Sequence, residues 1–198
     1  MKSALLLSGG MDSTAIAYWL RPPHAFTIDY GQLSAQGEIY AARKICKALQ
    51  INHEVITADC RALGSGVMFG APPLDLAPVP EWLPFRNQLL LTIAGMRAVQ
   101  VGVDELLFGS VKSDQRQVDG SKEFFETIAA LFYLQEGQLR ISAPALHMTT
   151  AELIRESQIP FSILGWAHSC DVSEFACGKC NSCFKYRDVL LELRPLQD

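Results

Sequence analysis

The apolar run Ala4-Leu5-Leu6-Leu7 passes directly into Ser8-Gly9-Gly10-Met11-Asp12-Ser13 and then into Thr14-Ala15-Ile16-Ala17-Tyr18-Trp19-Leu20, an amphipathic stretch. A short buried strand, a tight glycine turn and a helix start are thus compressed into the first twenty residues. The two glycines let the backbone turn sharply and approach a ligand without a Cβ clash. Ser13 and Thr14 add hydroxyls beside the unpaired N–H groups of the first helical turn, where an anion is favoured. Ser8, Gly9, Gly10, Asp12, Ser13 and Thr14 therefore form a candidate phosphate cradle. It is not a Walker loop, because no Gly-Lys-Ser/Thr follows. The plain alternative is an ordinary glycine-rich strand-to-helix turn.

The same reading extends along the chain. The spacing predicts strands at Ser3–Leu7, His24–Asp29, Asn52–Thr57, Glu105–Phe108 and Leu139–Ala143. Between them it predicts helices from about Ser13 to Leu20, along the stripe Ala35, Ile39, Ala42, Ile45, Cys46, Leu49, over Phe85–Val101, and from Lys122 to about Gln135. A last short helix, Thr149–Ser157, starts with Thr149 as N-cap and Glu152 three residues on. From Arg61 to Pro84 glycines and prolines break the periodicity, which predicts a long exposed loop with a functional role or mobility. Alternating strands and helices imply a doubly wound α/β fold with a five-stranded parallel sheet covered on both faces. Ligands of such sheets bind beyond the carboxyl ends of the strands. Ser8–Ser13, Asp29–Gln32, Gly109–Asp114 and Pro144–His147 all fall at those ends, so one cleft is expected to collect them.

A chain of 198 residues suits one domain over 1–198. A net charge of −4 gives no overall attraction to nucleic acid or to an anionic membrane. The apolar start is too short for a signal peptide and no segment approaches a membrane span, so a cytoplasmic protein is expected. In that compartment the six cysteines are better suited to metal or to core packing than to disulfides. Cys170, Cys177, Cys180 and Cys183 fall within fourteen residues, with Gly178 to ease the turn. Four thiolates suit a closed, structural Zn²⁺ site within the C-terminal segment 168–185. An iron–sulfur cluster takes the same ligands, and His168 could stand in for Cys170. Cys46 reads as core. Cys60 has no assigned role.

The pattern Ser-Gly-Gly-x-Asp-Ser resembles the pyrophosphate loop (PP-loop) of the ATP-pyrophosphatases, which cleave ATP to AMP and pyrophosphate. With C-x6-C-x2-C-x2-C near the C-terminus, the chain resembles more closely the 7-cyano-7-deazaguanine synthase family of queuosine biosynthesis. Asp29-Tyr30-Gly31-Gln32, Leu83-Pro84-Phe85-Arg86-Asn87, Gly102-Val103-Asp104-Glu105-Leu106 and Pro160-Phe161 through Lys179-Cys180 agree in order, so the likeness covers nearly the whole chain. The resemblance implies that a carboxylate of 7-carboxy-7-deazaguanine attacks the α-phosphate of ATP. Pyrophosphate leaves, and ammonia displaces AMP to give an amide. A second activation dehydrates the amide to the nitrile. It implies ATP held by Ser8 to Thr14 with Asp29 and Gly109, Mg²⁺ through Asp12, Zn²⁺ on the four cysteines, and a homodimer. Asp12, Ser13 and Arg86 carry the expected catalytic roles, and Arg86, Asn87, Asp114 and Asp119 the expected substrate contacts. For Arg86 the plain alternative is a surface ion pair near a helix start.

Three departures stand against this pattern. The family's Thr-Lys-Ala-Glu is Thr149-Thr150-Ala151-Glu152 here, so a lysine near the phosphates is missing. The segment Asp114–Ser121 is one residue shorter than the family's substrate loop and lacks its aromatic residues and final arginine, though Asp119 matches the family's aspartate. Leu33-Ser34-Ala35-Gln36 replaces a basic stretch. Lys112 or Arg116 are the candidate substitutes for the lost charge. Two other functions follow from these departures: transfer of the activated deazaguanine to an amine of a partner protein in an antiphage system, or a catalytically silent nucleotide-binding module.

Overall fold

A computed structural model describes residues 2–193; Met1 and positions 194–198, which belong to the unit expected over 1–198, lie outside the described residues. Strands β1 (Ser3–Leu6), β2 (His24–Asp29), β3 (Asn52–Thr57), β4 (Glu105–Phe108) and β5 (Arg140–Ser142) form one sheet in the order β3-β2-β1-β4-β5. Every pairing is parallel, with Leu5 opposite Ala25 on one side and Leu107 on the other. β2, β3 and β4 occupy the residues expected of them. β1 ends a residue early, although the Leu7 amide still donates to the Phe26 carbonyl at 2.8 Å before the chain turns away.

The period of two along β1 divides the core. Leu5 and Leu7 point to a cluster with helices α1 (Met11–Leu20), α2 (Ala35–Leu49) and α5 (Thr150–Ser157). Ala4 and Leu6 point to the other, beneath α3 (Arg86–Gln100) and α4 (Lys122–Tyr133). A strand buried on both faces must be apolar at successive positions, and Ala4 to Leu7 is. The short α6 (Phe161–Leu164) and the C-terminal α7 (Asn181–Glu192) join the first layer, α7 through Val189. No helix among the described residues is long and apolar enough to cross a membrane.

The predicted cap of α5 is formed. The Glu152 amide donates to Thr149 Oγ1 at 3.2 Å, and the Thr149 amide donates to the Glu152 carboxylate at 2.7 Å. Thr149→Ala is expected to cost about 1 kcal/mol in chemical denaturation. An unchanged midpoint would show the cap to be idle.

The segment 61–84 differs from the exposed loop expected of it. It folds into two 3₁₀ turns, Arg61–Leu63 and Val67–Phe69, and sends Met68 and Leu83 into the core, each 5% exposed. Its glycines permit this: Gly66 has φ +72° and lies so close to the Pro80 carbonyl that a Cβ would collide with it. Leu63 and Leu76 remain in solvent. Cys46 is packed on the α2 stripe as expected, and burial pushes its thiol up to about 12. Native protein at mildly alkaline pH should leave Cys46 unmodified by iodoacetamide in peptide mapping. Labelling at the rate of the partly exposed Cys60 would contradict that packing.

Candidate active site and metal centre

The chain winds outward from β1 in both directions, to β2 and β3 on one side and to β4 and β5 on the other. The point where the order reverses leaves a crevice beyond the carboxyl ends of β1 and β4. A cleft of about 290 Å³ lies there, lined by Ser8, Gly10, Asp12, Gly109 and Ser110, whereas Gly9 and Ser13 stand behind its surface.

The glycine turn is shaped by its neighbours. Gly9 has φ +78°, and a Cβ there would come within 2.8 Å of the Glu38 carbonyl and 3.0 Å of Ala41 Cβ. At Gly109 an added Cβ would meet the Ser13 backbone at 3.1 Å, so β4 and α1 approach as glycine alone allows. α1 begins at Met11, two residues before the expected start, with Gly10 as an N-cap that offers no side chain. Asp12 and Ser13 therefore sit inside the first turn, and its N–H groups are left for an anion. Ser8 Oγ and Ser13 Oγ stand 3.2 Å apart, and Ser13 Oγ also donates to the Gly10 carbonyl at 3.2 Å. Thr14 is fully buried and its hydroxyl has no partner among the described residues, so it faces the interior rather than the cleft.

Asp12 dominates the electrostatics. Its carboxyl is pushed above the ordinary range by burial first; Lys185 and the Thr150 hydroxyl act against that push and Asp114 adds to it. Lys185 Nζ donates to Asp12 Oδ2 at 3.1 Å and lies 3.7 Å from Asp114 Oδ1. For Lys185 burial disfavours the charge, but the two carboxylates outweigh it and hold the ammonium pKa above its usual value. Asp12 Oδ1 and Thr150 Oγ1 are both buried, and neither has a hydrogen-bond partner among the described residues. Asp114 also accepts from the Val111 amide at 3.0 Å through Oδ2, which fixes its orientation. Asp12 and Asp114 are hard oxygen donors of the kind Mg²⁺ takes, and the unpartnered Asp12 Oδ1 fits such an ion.

The opposite wall comes from α3 and the 3₁₀ turns between β4 and α4. Asn87 donates to Asp119 twice, from its amide to Oδ2 at 3.3 Å and from Nδ2 to the carbonyl at 2.8 Å. Asp119 Oδ1 stays buried without a hydrogen-bond partner among the described residues. Arg86 makes no ion pair among the described residues. Instead its guanidinium lies against Asn87 Oδ1 and Met68 Sδ in the cleft wall, so it is not the surface pair of the plain alternative.

Two expected members lie elsewhere. Asp29 accepts from the Gly31 amide at 3.1 Å and lines a neighbouring pocket with Arg61. Pro144–His147 does not line the cleft, and the Leu146 carbonyl instead accepts from Gln115 Nε2 at 2.9 Å. Lys112 and Arg116 are exposed and outside the cleft lining, so neither supplies the missing cation.

Sequence reasoning missed two groups. Lys185 was unforeseen because helix α7 was. Glu38 lines the cleft while accepting from Ser34 Oγ at 2.6 Å and Gln32 Nε2 at 3.0 Å. Burial pushes its carboxyl up against the pull of those two bonds. The dipeptide Tyr30-Gly31 before Gln32 hinted at a turn there, but nothing in the spacing tied Glu38 to it.

The four sulfurs of Cys170, Cys177, Cys180 and Cys183 lie within 4.8 Å of one another, with Cys177 and Cys183 at 3.9 Å. A tetrahedral Zn–S bond of about 2.3 Å requires sulfur separations near 3.8 Å, so the set fits zinc. The Lys179 and Cys183 amides donate to Cys177 and Cys180 sulfurs at 3.5 and 3.4 Å, as bonds to thiolates would. His168 is not a member, because its Nε2 is 3.0 Å from the Ser173 carbonyl.

These features define a class: a doubly wound α/β protein with a glycine-rich βα turn at its switch point and, near its C-terminal end, four cysteines that could hold a metal ion. The chain belongs to the QueC family of PP-loop proteins, whose model, "Queuosine biosynthesis protein QueC", matches residues 2–193. It is similar to 7-cyano-7-deazaguanine synthase of Thermoplasma acidophilum, 29% identical over 205 residues that cover 92% of this chain and 84% of that protein. 7-cyano-7-deazaguanine synthase 1 of Desulfitobacterium hafniense is 30% identical over 208 residues, covering 97% of this chain and 92% of its own. The synthase of Cupriavidus necator is 31% identical over 204 residues, with coverages of 92% and 89%. Among solved structures, a bulky-bulky ketone specific alcohol dehydrogenase from Comamonas testosteroni is similar with a TM-score of 0.42 and 13% identity over the whole chain, a likeness too slight to carry an argument.

Proposed function

We propose that this chain is an ATP-dependent enzyme that adenylates the carboxylate of 7-carboxy-7-deazaguanine or a close analogue and passes the activated acyl group to ammonia. One observation supports this reading above the others. Ser8, Gly10 and Asp12 of the cradle line the same cleft as Arg86 and Asp119. A nucleotide and a polar heterocycle can thus meet there.

The N–H groups of the first turn of α1, with the Ser8 and Ser13 hydroxyls, hold the β- and γ-phosphates where charge develops as pyrophosphate leaves. Gly109 lets the end of β4 lie against that turn. Asp12 and Asp114 would hold Mg²⁺, which offsets phosphate charge. Asp29, in the pocket beside the cleft, is assigned to the nucleoside end of ATP. Arg86 orients the substrate carboxylate by its planar fork. Asp119, held by Asn87, accepts from the N–H edge of the base. A carboxylate oxygen then attacks the α-phosphorus, the bond to the β-phosphate oxygen breaks and pyrophosphate departs. Ammonia attacks the acyl carbon, AMP leaves with the bonding electrons, and a proton passes to solvent, giving the amide. A second activation through the amide oxygen, with loss of AMP and a proton, gives the nitrile. Zn²⁺ on the four cysteines would have a structural role, since a closed thiolate set leaves no open position.

Incubation with ATP, Mg²⁺, ammonia and the acid, followed by mass spectrometry, tests the reading. AMP together with the amide or nitrile is expected; no AMP and an unchanged base would refute it.

A second reading is favoured by the rim of the cleft. Phe85 and Val118 are 75% and 85% exposed, each next in sequence to a lining residue. Exposed apolar side chains beside a cleft suit a protein surface, so the acceptor would be an amine of a partner protein. A partner whose mass rises by one deazaguanine acyl group supports that version, and free nitrile as sole product removes it. Against the silent-module reading stands Lys185, whose ammonium lies 3.1 Å from Asp12 at the glycine turn.

A further inference from the structure

Among the described residues the cleft is lined by only two permanently cationic side chains, Arg86 and Lys185, and they stand on different walls. Arg86 lies with Met68 and Asn87 at the start of α3. Lys185 lies at the glycine turn, 3.1 Å from an Asp12 oxygen. Its position is built from the far end of the chain. Cys180 is the N-cap of α7, Cys183 lies in its first turn and Lys185 follows two residues later. Two further bonds pin that turn: Ser182 Oγ donates to Asp171 Oδ1 at 2.8 Å, and Asn181 Nδ2 to Glu81 Oε2 at 3.3 Å.

An ammonium carries three donors. Asp12 takes one, Asp114 stands at 3.7 Å from the nitrogen, and the remaining capacity points into a cleft that is otherwise acidic at this end. Beside it Thr150 is 4% exposed, and its hydroxyl bonds to nothing among the described residues. A neutral, buried threonine cannot balance a phosphate charge. The neighbouring lysine can.

We infer that Lys185 contacts the departing pyrophosphate of ATP and is thus a catalytic residue of this chain, brought to the cradle by the helix that the cysteine cluster opens. The inference rests on the ATP-dependent reading above. A lysine on a flexible stem can swing from Asp12 to a phosphate oxygen without moving the backbone. As a point charge it tracks a group whose charge grows as it leaves.

The test uses the zinc-loaded full chain and compares the parent with Lys185→Met and Lys185→Arg. Pyrophosphate binding is measured by calorimetry and pyrophosphate release from ATP by coupled assay, with zinc content and Tm for each variant. Lys185→Met is expected to weaken pyrophosphate binding about tenfold and to lower kcat about 10²-fold, at unchanged zinc content. Lys185→Arg, which keeps the charge, should recover part of both. A Lys185→Met protein that binds and releases pyrophosphate as the parent does overturns the inference and leaves the ATP-dependent reading standing. Losses equal in both variants and matched by lost zinc and Tm also overturn it, since they mark a purely structural lysine. A parent that releases no pyrophosphate from ATP in the presence of the acid removes the underlying reading instead. Should Lys185→Met not fold, Asp12→Asn/Lys185→Met is compared with Asp12→Asn alone. Weaker pyrophosphate binding in the double variant supports the contact, and equal binding refutes it.

Discussion

Asp12→Ala is expected to lower kcat/KM for pyrophosphate release about 10²- to 10³-fold, the loss typical of removing one preorganised charge or donor at a developing charge. The expectation comes from the residue's surroundings. Its side chain is 17% exposed, it sits in the first turn of α1, and Oδ1 has no hydrogen-bond partner among the described residues. The fold should lose little. Burial already disfavours the Asp12 carboxylate, so its removal relieves a cost. Lys185 keeps Asp114 at 3.7 Å and is 39% exposed, so it is not stranded as an unpaired buried charge. A stability change within about 1 kcal/mol is therefore expected, far below the 3–5 kcal/mol of a fully buried broken pair. Steady-state kinetics and a denaturation curve on the same preparation check both halves. Activity that survives, or falls only with the melting temperature, contradicts the assigned role.

Cys177→Ala should have the second largest effect, this time on the C-terminal segment. Structural zinc in small peptides supplies about 10–16 kcal/mol of apparent binding free energy, and it is spent on folding. Here the sheet has its own two-sided core, so only the stretch from Cys170 to the start of α7 is expected to depend on a metal held by the four cysteines. The variant is expected to lose its bound zinc, to show fast amide exchange through residues 170–185, and to keep slow exchange in β1, β2 and β4. Because α7 carries Lys185, ATP affinity should fall with the metal. Elemental analysis and hydrogen exchange read these outcomes. Full zinc content in the variant would mean that Cys177 is not a ligand.

What could be read from the residues alone divides along physical lines. β2 and β4 were legible to the residue because their buried apolar side chains in a doubly covered sheet leave little choice of bounds, whereas the edge strand β3, with no buried residue, was legible from its β-branched Val55, Ile56 and Thr57. The cradle and the four cysteines were legible because a short segment carries each whole motif. Asn87 and Asp119 were named separately, and tertiary packing joins them by two hydrogen bonds. Helix α7 was not foreseen. Its only buried residue is Val189, only Tyr186 and Leu190 pack beside it, and Phe184 lies exposed on another face, so no long apolar stripe announces the helix. Lys185 was hidden for a further reason: its partner Asp12 is 173 positions away, and only docking of α7 brings them together. The segment 61–84 misled in the opposite direction. Glycine and proline announce irregular backbone, but not whether Met68 and Leu83 between them will turn inward.

Attack of a substrate carboxylate on the α-phosphorus of ATP held over the glycine turn can be followed with 7-carboxy-7-deazaguanine labelled with heavy oxygen in its carboxyl group. After turnover with ammonia, AMP bearing one heavy oxygen is expected, because the bond that breaks lies between the acyl carbon and that oxygen. Unlabelled AMP from complete turnover, or consumption of ATP that does not depend on the acid, would contradict it.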